Sequence, residues 1–566
     1  MTIKLQVENC IKNLLVMAKN KLLLILIVLL STNLNAQDQE FYWIELNDKT
    51  TSIHSVSNPS TFLTQKSIDR RTKQNIPITE QDLPVPQSYI DEINDFADVE
   101  IHNVSKWMNA ILIKTNNTTS VDAIKNLSYV KGSSFIQTAG LKNENEYNHK
   151  FEEPSLKLKN NLQSININTD YGDAFNQIHM HNGETLHNAG YSGENMSIAV
   201  IDAGFTGAQG NLSLTPAYVD NRILGTRNFV ENSNLVYKSS THGTYVLTTM
   251  AGDIEGSYVG TAPKANYWLL LSEDVASETI IEEYYWLFAA EYADSVGVDV
   301  INTSLGYTEF DDPSQNHTYA DMDGNTTIGA KAADIAASKG MLLFNSNGNS
   351  GNNSWKYLGT PADADSVIAV GATDPNGIIA GFSSLGPASD GDIKPNIAGQ
   401  GAPSALYHND GYVTFGSGTS FSGPILCGLG ACLWQVYPDK TNMEIKDAIE
   451  KSAHIYSSPD EFYGYGIPDF SKASTILTLN DPTKHEFTVF PTLFNDELTI
   501  TFSKSSLHFN RIEIINLLGE VQFSKDVEAL NEREIHLTNL SFSKGVYFIS
   551  IYADNTLINS TKVIKH

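Results

Sequence analysis

Apolar residues along this chain fall into runs whose length and period change, and those changes divide it. The strongest run covers residues 22–30, with Lys19 and Lys21 before it and Ala36 after a short polar stretch. A basic flank, a short apolar core and a small residue predict a secretory signal over residues 1–36, cleaved after Ala36. The run is too short for a comfortable membrane span; a retained anchor is the alternative. Residues 1–16 do not suit the leader of such a signal, so Met17 is a second candidate start. In the next unit, Phe41-Tyr42-Trp43-Ile44 and Ala110-Ile111-Leu112-Ile113 read as strands. Residues 61–71 and 89–96 have helical spacing. Residues 142–168 are polar and rich in Lys, Asn and Glu, which is linker composition. A first unit with its linker therefore occupies residues 37–165.

Between residues 166 and 480, short β-rich runs alternate with helical ones. The runs are 198–201, 267–271, 298–301, 342–344 and 367–370. Most are continuous rather than alternating, as strands covered on both faces of a parallel sheet must be. The pattern predicts an α/β domain, a parallel sheet flanked by helices, with chemistry at the carboxyl ends of its strands. Residues 484–566 change character again. Strand-like runs at 487–490, 498–502, 512–515, 545–551 and 562–565, separated by polar turns, predict a small β-sandwich.

Composition changes this picture little. The chain has 566 residues, enough for more than one domain, and 41% are hydrophobic. A formal net charge of −28 disfavours long-range attraction to nucleic acid or anionic lipid, so neither is expected as a partner. With the signal removed, no membrane span is expected. There are 3 cysteines. Cys10 leaves with the signal. Cys427 and Cys432 lie five apart on one predicted helix, about 140° apart around its axis, which does not suit a disulfide. Both read as small buried hydrophobes.

Three stretches carry chemistry. In Gly418-Thr419-Ser420-Phe421-Ser422-Gly423-Pro424, small residues crowd a serine just before an apolar run, residues 424–436. That places Ser420 at a helix N-terminus, where free N–H groups favour developing negative charge. In Ser197-Ile198-Ala199-Val200-Ile201-Asp202, an acid ends a β-rich run. In Thr241-His242-Gly243-Thr244, a histidine opens an apolar helix. A serine hydroxyl needs a base within reach and an acid to orient that base. Acid, base and nucleophile stand here in the chain order of subtilisin. All three stretches resemble the signatures of the subtilisin-like serine proteases, and the resemblance covers roughly residues 180–475. It implies a subtilisin-like fold, Asp202, His242 and Ser420 as catalytic triad, polypeptide substrates and an acyl-enzyme.

Matched further, Gly348-Asn349-Ser350-Gly351 is similar to the family segment whose asparagine donates its amide to the oxyanion, which implies Asn349; Asn347 is a rival two residues earlier. Ile301-Asn302-Thr303-Ser304-Leu305-Gly306 resembles the substrate-aligning strand, which implies Ser304, Leu305 and Gly306 as substrate-binding residues. Tyr307 stands where the family commonly has glycine and would narrow the neighbouring pocket. Lys394-Pro395-Asn396 departs from the family at Asn396, where aspartate is usual.

The first unit, by its position, resembles an inhibitory propeptide that assists folding, which would make the protein a self-processed precursor; a permanent extra domain is the alternative. The C-terminal unit resembles the sorting domain of type IX secretion substrates through Phe490-Pro491, Asn516-Leu517-Leu518-Gly519 and Gly545-Val546-Tyr547, departing at Thr492-Leu493. It implies export through the periplasm to the surface or the medium and contact with the type IX secretion machinery; an adhesive β-domain is the alternative. Two competing functions are a catalytically silent relative that binds peptides or surfaces, and an esterase of the α/β-hydrolase kind. The latter needs glycine where Ser422 stands. No metal site is predicted with force. His179, His181 and His187 have metal-like spacing, and Asp321-Met322-Asp323-Gly324-Asn325 resembles a calcium loop. No glutamate closes that loop where Ala332 stands. Calcium is kept as a candidate cofactor because relatives bind it through irregular loops.

Overall fold

The computed structural model describes residues 40–138, 169–479, 487–502, 510–527, 534–553 and 556–566. The predicted signal and linker lie outside these residues. The described residues divide into two compact units, with the boundary between Phe470 and Ser471.

At the centre of the first unit is a seven-stranded sheet, parallel throughout. Its order is Ile397–Gln400, Ile368–Thr373, Leu342–Ser346, Val300–Thr303, Ser197–Asp202, Asn266–Leu271, Ile223–Asn228. The three central strands Ser197–Asp202, Val300–Thr303 and Leu342–Ser346 are buried along their whole length. This explains their unbroken apolar runs, because helices cover both faces. On one face Ala199, Ile201, Ile301 and Leu343 pack with the helices Ile281–Val296 and Ile328–Ser338. The helices His242–Ala251 and Thr419–Val436 also pack on the sheet and against each other.

Differences from the sequence reading have local causes. The run expected at 298–301 forms its strand at Val300–Thr303, because Val298 and Asp299 turn the chain out of Ile281–Val296 through Gly297, which is left-handed at φ 85°. Ile223–Asn228 and Ile397–Gln400 carry too few apolar residues to stand out. They are the edge strands of the sheet, and their neighbours define them.

Ahead of this sheet, residues 40–138 fold as a four-stranded antiparallel sheet. Its order is Glu100–Ser105, Ala110–Thr115, Glu40–Leu46, Val130–Thr138, accompanied by the helices Gln65–Lys73, Gln87–Asn94 and Thr118–Lys125. Side chains alternate across a strand. Tyr42, Ile44, Ile111 and Ile113 meet the unit's own helix residues Ile93, Val121 and Ile124. Phe41, Trp43, Ala110 and Leu112 face the other way and join Tyr284, Tyr285 and Phe288 of Ile281–Val296 in one core. The continuous run Phe41-Tyr42-Trp43-Ile44 thus has two apolar covers, its own helices and a helix of the larger domain.

The second unit is a β-sandwich. A three-stranded sheet, Phe487–Phe490, Leu498–Phe502 and Glu534–Leu537, shares one core with a five-stranded sheet built on Arg511–Asn516 and Gly545–Ala553. Val521–Asp526, missed in the sequence, has mostly exposed positions and so little apolar signal.

Candidate active site

Asp202 is the last residue of its strand and has no solvent exposure. His242 is the first residue of its helix. The imidazole Nδ1 lies 2.7 Å from Asp202 Oδ1, which also accepts the Ala203 N–H at 2.8 Å. Gly243 allows this approach: a Cβ there would stand 2.5 Å from Gly204 O and 3.0 Å from Asp202 Cβ. Any larger residue would push the histidine helix off the aspartate strand.

Ser420 is the second residue of Thr419–Val436, as its small-residue context predicted. Gly418 is the N-cap of this helix, and its φ of 153° is strained for any residue with a side chain. Ser420 Oγ donates to Ser304 O at 3.4 Å, and Ser304 Oγ donates to Ser420 O at 2.9 Å. The serine is thereby tied to the end of the Val300–Thr303 strand. The His242 ring centroid lies 6.0 Å from that of Phe421, the residue after Ser420.

Asn349 follows the neighbouring strand Leu342–Ser346 and is exposed to the cleft. Its Oδ1 accepts both the Thr419 N–H and the Thr419 hydroxyl, each at 2.9 Å. That holds the side chain by its oxygen at the start of the Ser420 helix. A Cβ placed on Gly418 would lie 3.5 Å from Asn349 Nδ2 and 3.7 Å from Ser420 N, so two donors border one small space. Asn347 differs: it is fully buried and its amide donates to Ser384 O at 2.6 Å. Ser304, Leu305 and Gly306 line a cleft of about 220 Å³ together with Asn349 and Ser420. All seven residues singled out in the sequence for the site stand on two helix starts and the carboxyl ends of three adjacent strands.

The other motifs have local occupations. His179 pairs with Glu184 at 2.6 Å, His181 meets Pro468 O at 3.1 Å, and His187 meets the Tyr171 hydroxyl at 2.8 Å. Asp321 accepts the Thr318 N–H, and Asp323 accepts the N–H groups of Asn325 and Thr326. Those carboxylates cap turns, which accounts for their spacing. Among the described residues, no group of three or more His, Cys, Asp or Glu is placed to hold a metal. Cys427 and Cys432 are free and buried. Lys394 is fully buried, its ammonium donating to Ala364 O at 2.7 Å and Val367 O at 3.3 Å. Sequence reading gave no reason for a buried lysine there.

A parallel sheet flanked by helices, with acid, histidine and serine brought together at strand ends and helix starts, defines a subtilisin-like serine peptidase. Comparison with known proteins agrees. The Subtilase family matches residues 193–466, the Peptidase S8 propeptide domain, Bacteroidota, matches 41–152, and the secretion system C-terminal sorting domain matches 488–566. Subtilisin NAT of Bacillus subtilis subsp. natto is 31% identical over 294 residues, which cover 51% of this chain and 68% of that protein. Subtilisin of Bacillus pumilus is 30% identical over 51% of this chain and 94% of its own length. Fervidolysin from Fervidobacterium pennivorans shares the fold with a TM-score of 0.51 at 17% identity, over 93% of this chain and 76% of that one. The chain belongs to the subtilase family. It carries a propeptide domain, and its sorting domain marks it as a secreted or cell-surface protein. Membership removes the esterase alternative.

Proposed function

We propose that the protein is a secreted endopeptidase that cuts polypeptides through an acyl-enzyme on Ser420 and matures by cutting its own linker. In this reading His242 Nε2 takes the Ser420 proton as Oγ bonds to the scissile carbonyl carbon. Asp202 holds the imidazole tautomer and balances the imidazolium. The oxyanion is held by Asn349 Nδ2 and the Ser420 N–H. The imidazolium then gives its proton to the leaving amine as the C–N bond breaks. Water, deprotonated by His242, attacks the ester and returns Ser420. Ser304, Leu305 and Gly306 align the substrate by main-chain bonds.

The observation that carries this reading is the 2.7 Å His242–Asp202 contact beside a serine at a helix start, with two amide donors bordering one space. The division into signal (residues 1–36), propeptide and linker (37–165), peptidase (166–480) and sorting domain (484–566) belongs to the same proposal, as does recognition by the type IX machinery.

The test is maturation. Removing a triad nucleophile costs on the order of 10⁶ in kcat, a magnitude measured on a subtilisin rather than obtained from these distances. Ser420→Ala is expected to accumulate as an uncut precursor, while wild type separates into two fragments cut between residues 142 and 168. A mutant trimmed at the same bond with no active copy present would show that another protease does the cutting.

A further inference from the structure

The cleft lined by Ser420, Asn349, Leu305 and Gly306 is also lined by Glu273 and Glu278. No lysine, arginine or histidine is among its lining residues. Glu273 is 1% exposed, and its Oε1 accepts the hydroxyl of Tyr307. Burial, and then the charge of Glu273 itself, push the Tyr307 phenol well above its ordinary range, so it remains a donor and keeps the carboxylate in place. This tyrosine occupies the position where the family commonly has glycine. Glu278 is half-buried on the loop between Asn266–Leu271 and Ile281–Val296. Its N–H donates to Asp311 Oδ2 at 3.0 Å, and its carbonyl accepts the Asp311 N–H at 2.8 Å. These bonds hold the Glu278 backbone, and Glu273 and Glu278 both line the cleft that Ser420 also lines.

We propose that this cleft selects polypeptides with a lysine or arginine close to the scissile bond, and that Glu273 and Glu278 receive the basic side chain. The proposal rests on Ser420 being the nucleophile. Two carboxylates lining one cleft repel an acidic side chain, do not distinguish an apolar one by charge, and attract a cation. The net charge of −28 adds long-range attraction for cationic peptides. The stretch proposed for the maturing cut, residues 142–168, offers such bonds at Lys142, Lys150, Lys157 and Lys159.

The experiment uses matched fluorogenic peptides. At each of the four positions on either side of the bond, the side chain is lysine, arginine, norleucine, citrulline or glutamate. At one position, kcat/KM for lysine or arginine is expected to exceed that for norleucine or citrulline by about tenfold or more. Glu278→Lys and Glu273→Gln should each collapse that ratio, and the mature N-terminus should show a basic residue at the same position relative to its cut. Norleucine peptides cleaved as well as lysine peptides, or ratios unmoved by both variants, overturn the proposal. A fluorophosphonate probe separates this failure from a deeper one. Labelling of wild type but not of Ser420→Ala upholds the nucleophile whatever the peptides show. If the wild type is unlabelled and cleaves nothing, the nucleophile assignment and the specificity both fall. Should Glu273→Gln fail to take the probe because it misfolds, Glu278→Lys on its loop still decides.

Discussion

Asn347 and Asn349 sit two residues apart on one turn, and the spacing alone leaves both as oxyanion donors. Burial separates them. Asn347 spends its amide on Ser384 O inside the protein, whereas Asn349 is anchored through its oxygen and keeps its NH₂ at the cleft. Asn349→Ala is expected to lower kcat by about 10²–10³ with little change in KM, a size taken from the same kind of donor in a subtilisin. Asn347→Ala should instead leave a buried carbonyl unpartnered and cost about 1–3 kcal/mol of stability. Steady-state kinetics and thermal unfolding of the two variants check this; a kcat loss confined to Asn347→Ala would reverse the assignment.

The helix Ile281–Val296 meets the propeptide with two carboxylates three residues apart, hence on one face. Asp294 takes Arg70 at 2.5 Å, Arg71 at 2.8 Å and Lys106 at 3.1 Å. Burial alone would raise its pKa, but these three cations hold it well below the carboxylate range. Glu291 accepts the N–H groups of Lys106 and Trp107 and the Ser105 hydroxyl. For Glu291 burial outweighs Lys106 and these donors, and its pKa is pushed up to about 7. A free glutamate titrates near ~4.3. Because the bound form has the higher pKa, Glu291 favours docking fully below the free value, and that contribution is lost as pH rises through about 7. Asp294 works in the opposite direction, but its contribution disappears only in strong acid. The cut propeptide should therefore leave the peptidase faster at pH 8 than at pH 6, read as recovery of activity after processing. Glu291→Gln should flatten that dependence; an unchanged pH profile would remove Glu291 from the account.

On the scale of the whole chain, the two described units have separate cores. Val489, Phe494, Ile500, Ile512, Ile549 and Val563 close the sandwich without help from the peptidase sheet. Deleting residues 484–566 is expected to leave folding and peptide hydrolysis intact while the protein fails to leave the cell. Fractionated cells and assays on the purified truncation measure the two halves of that statement. Loss of folding in the truncation would make the sandwich structural rather than a sorting device.

Much of this protein is local in origin and was legible in residue order. Ser197–Asp202, Asn266–Leu271 and Leu342–Ser346 announce themselves because strands covered on both faces must be apolar throughout. Ser420, His242 and Asp202 announce themselves because a helix start and a strand end each leave a local trace. Other features depend on residues far apart in sequence. Edge strands such as Ile223–Asn228 are defined by a neighbour rather than by their own apolarity. The second apolar face of the propeptide sheet has meaning only against Tyr284, Tyr285 and Phe288. The different surroundings of Asn349 and Asn347, the burial of Lys394 and the meeting of Glu273 with Tyr307 all rest on long-range packing. Hydrogen-bond partners and dielectric surroundings come from that packing, so only the tertiary structure decided them.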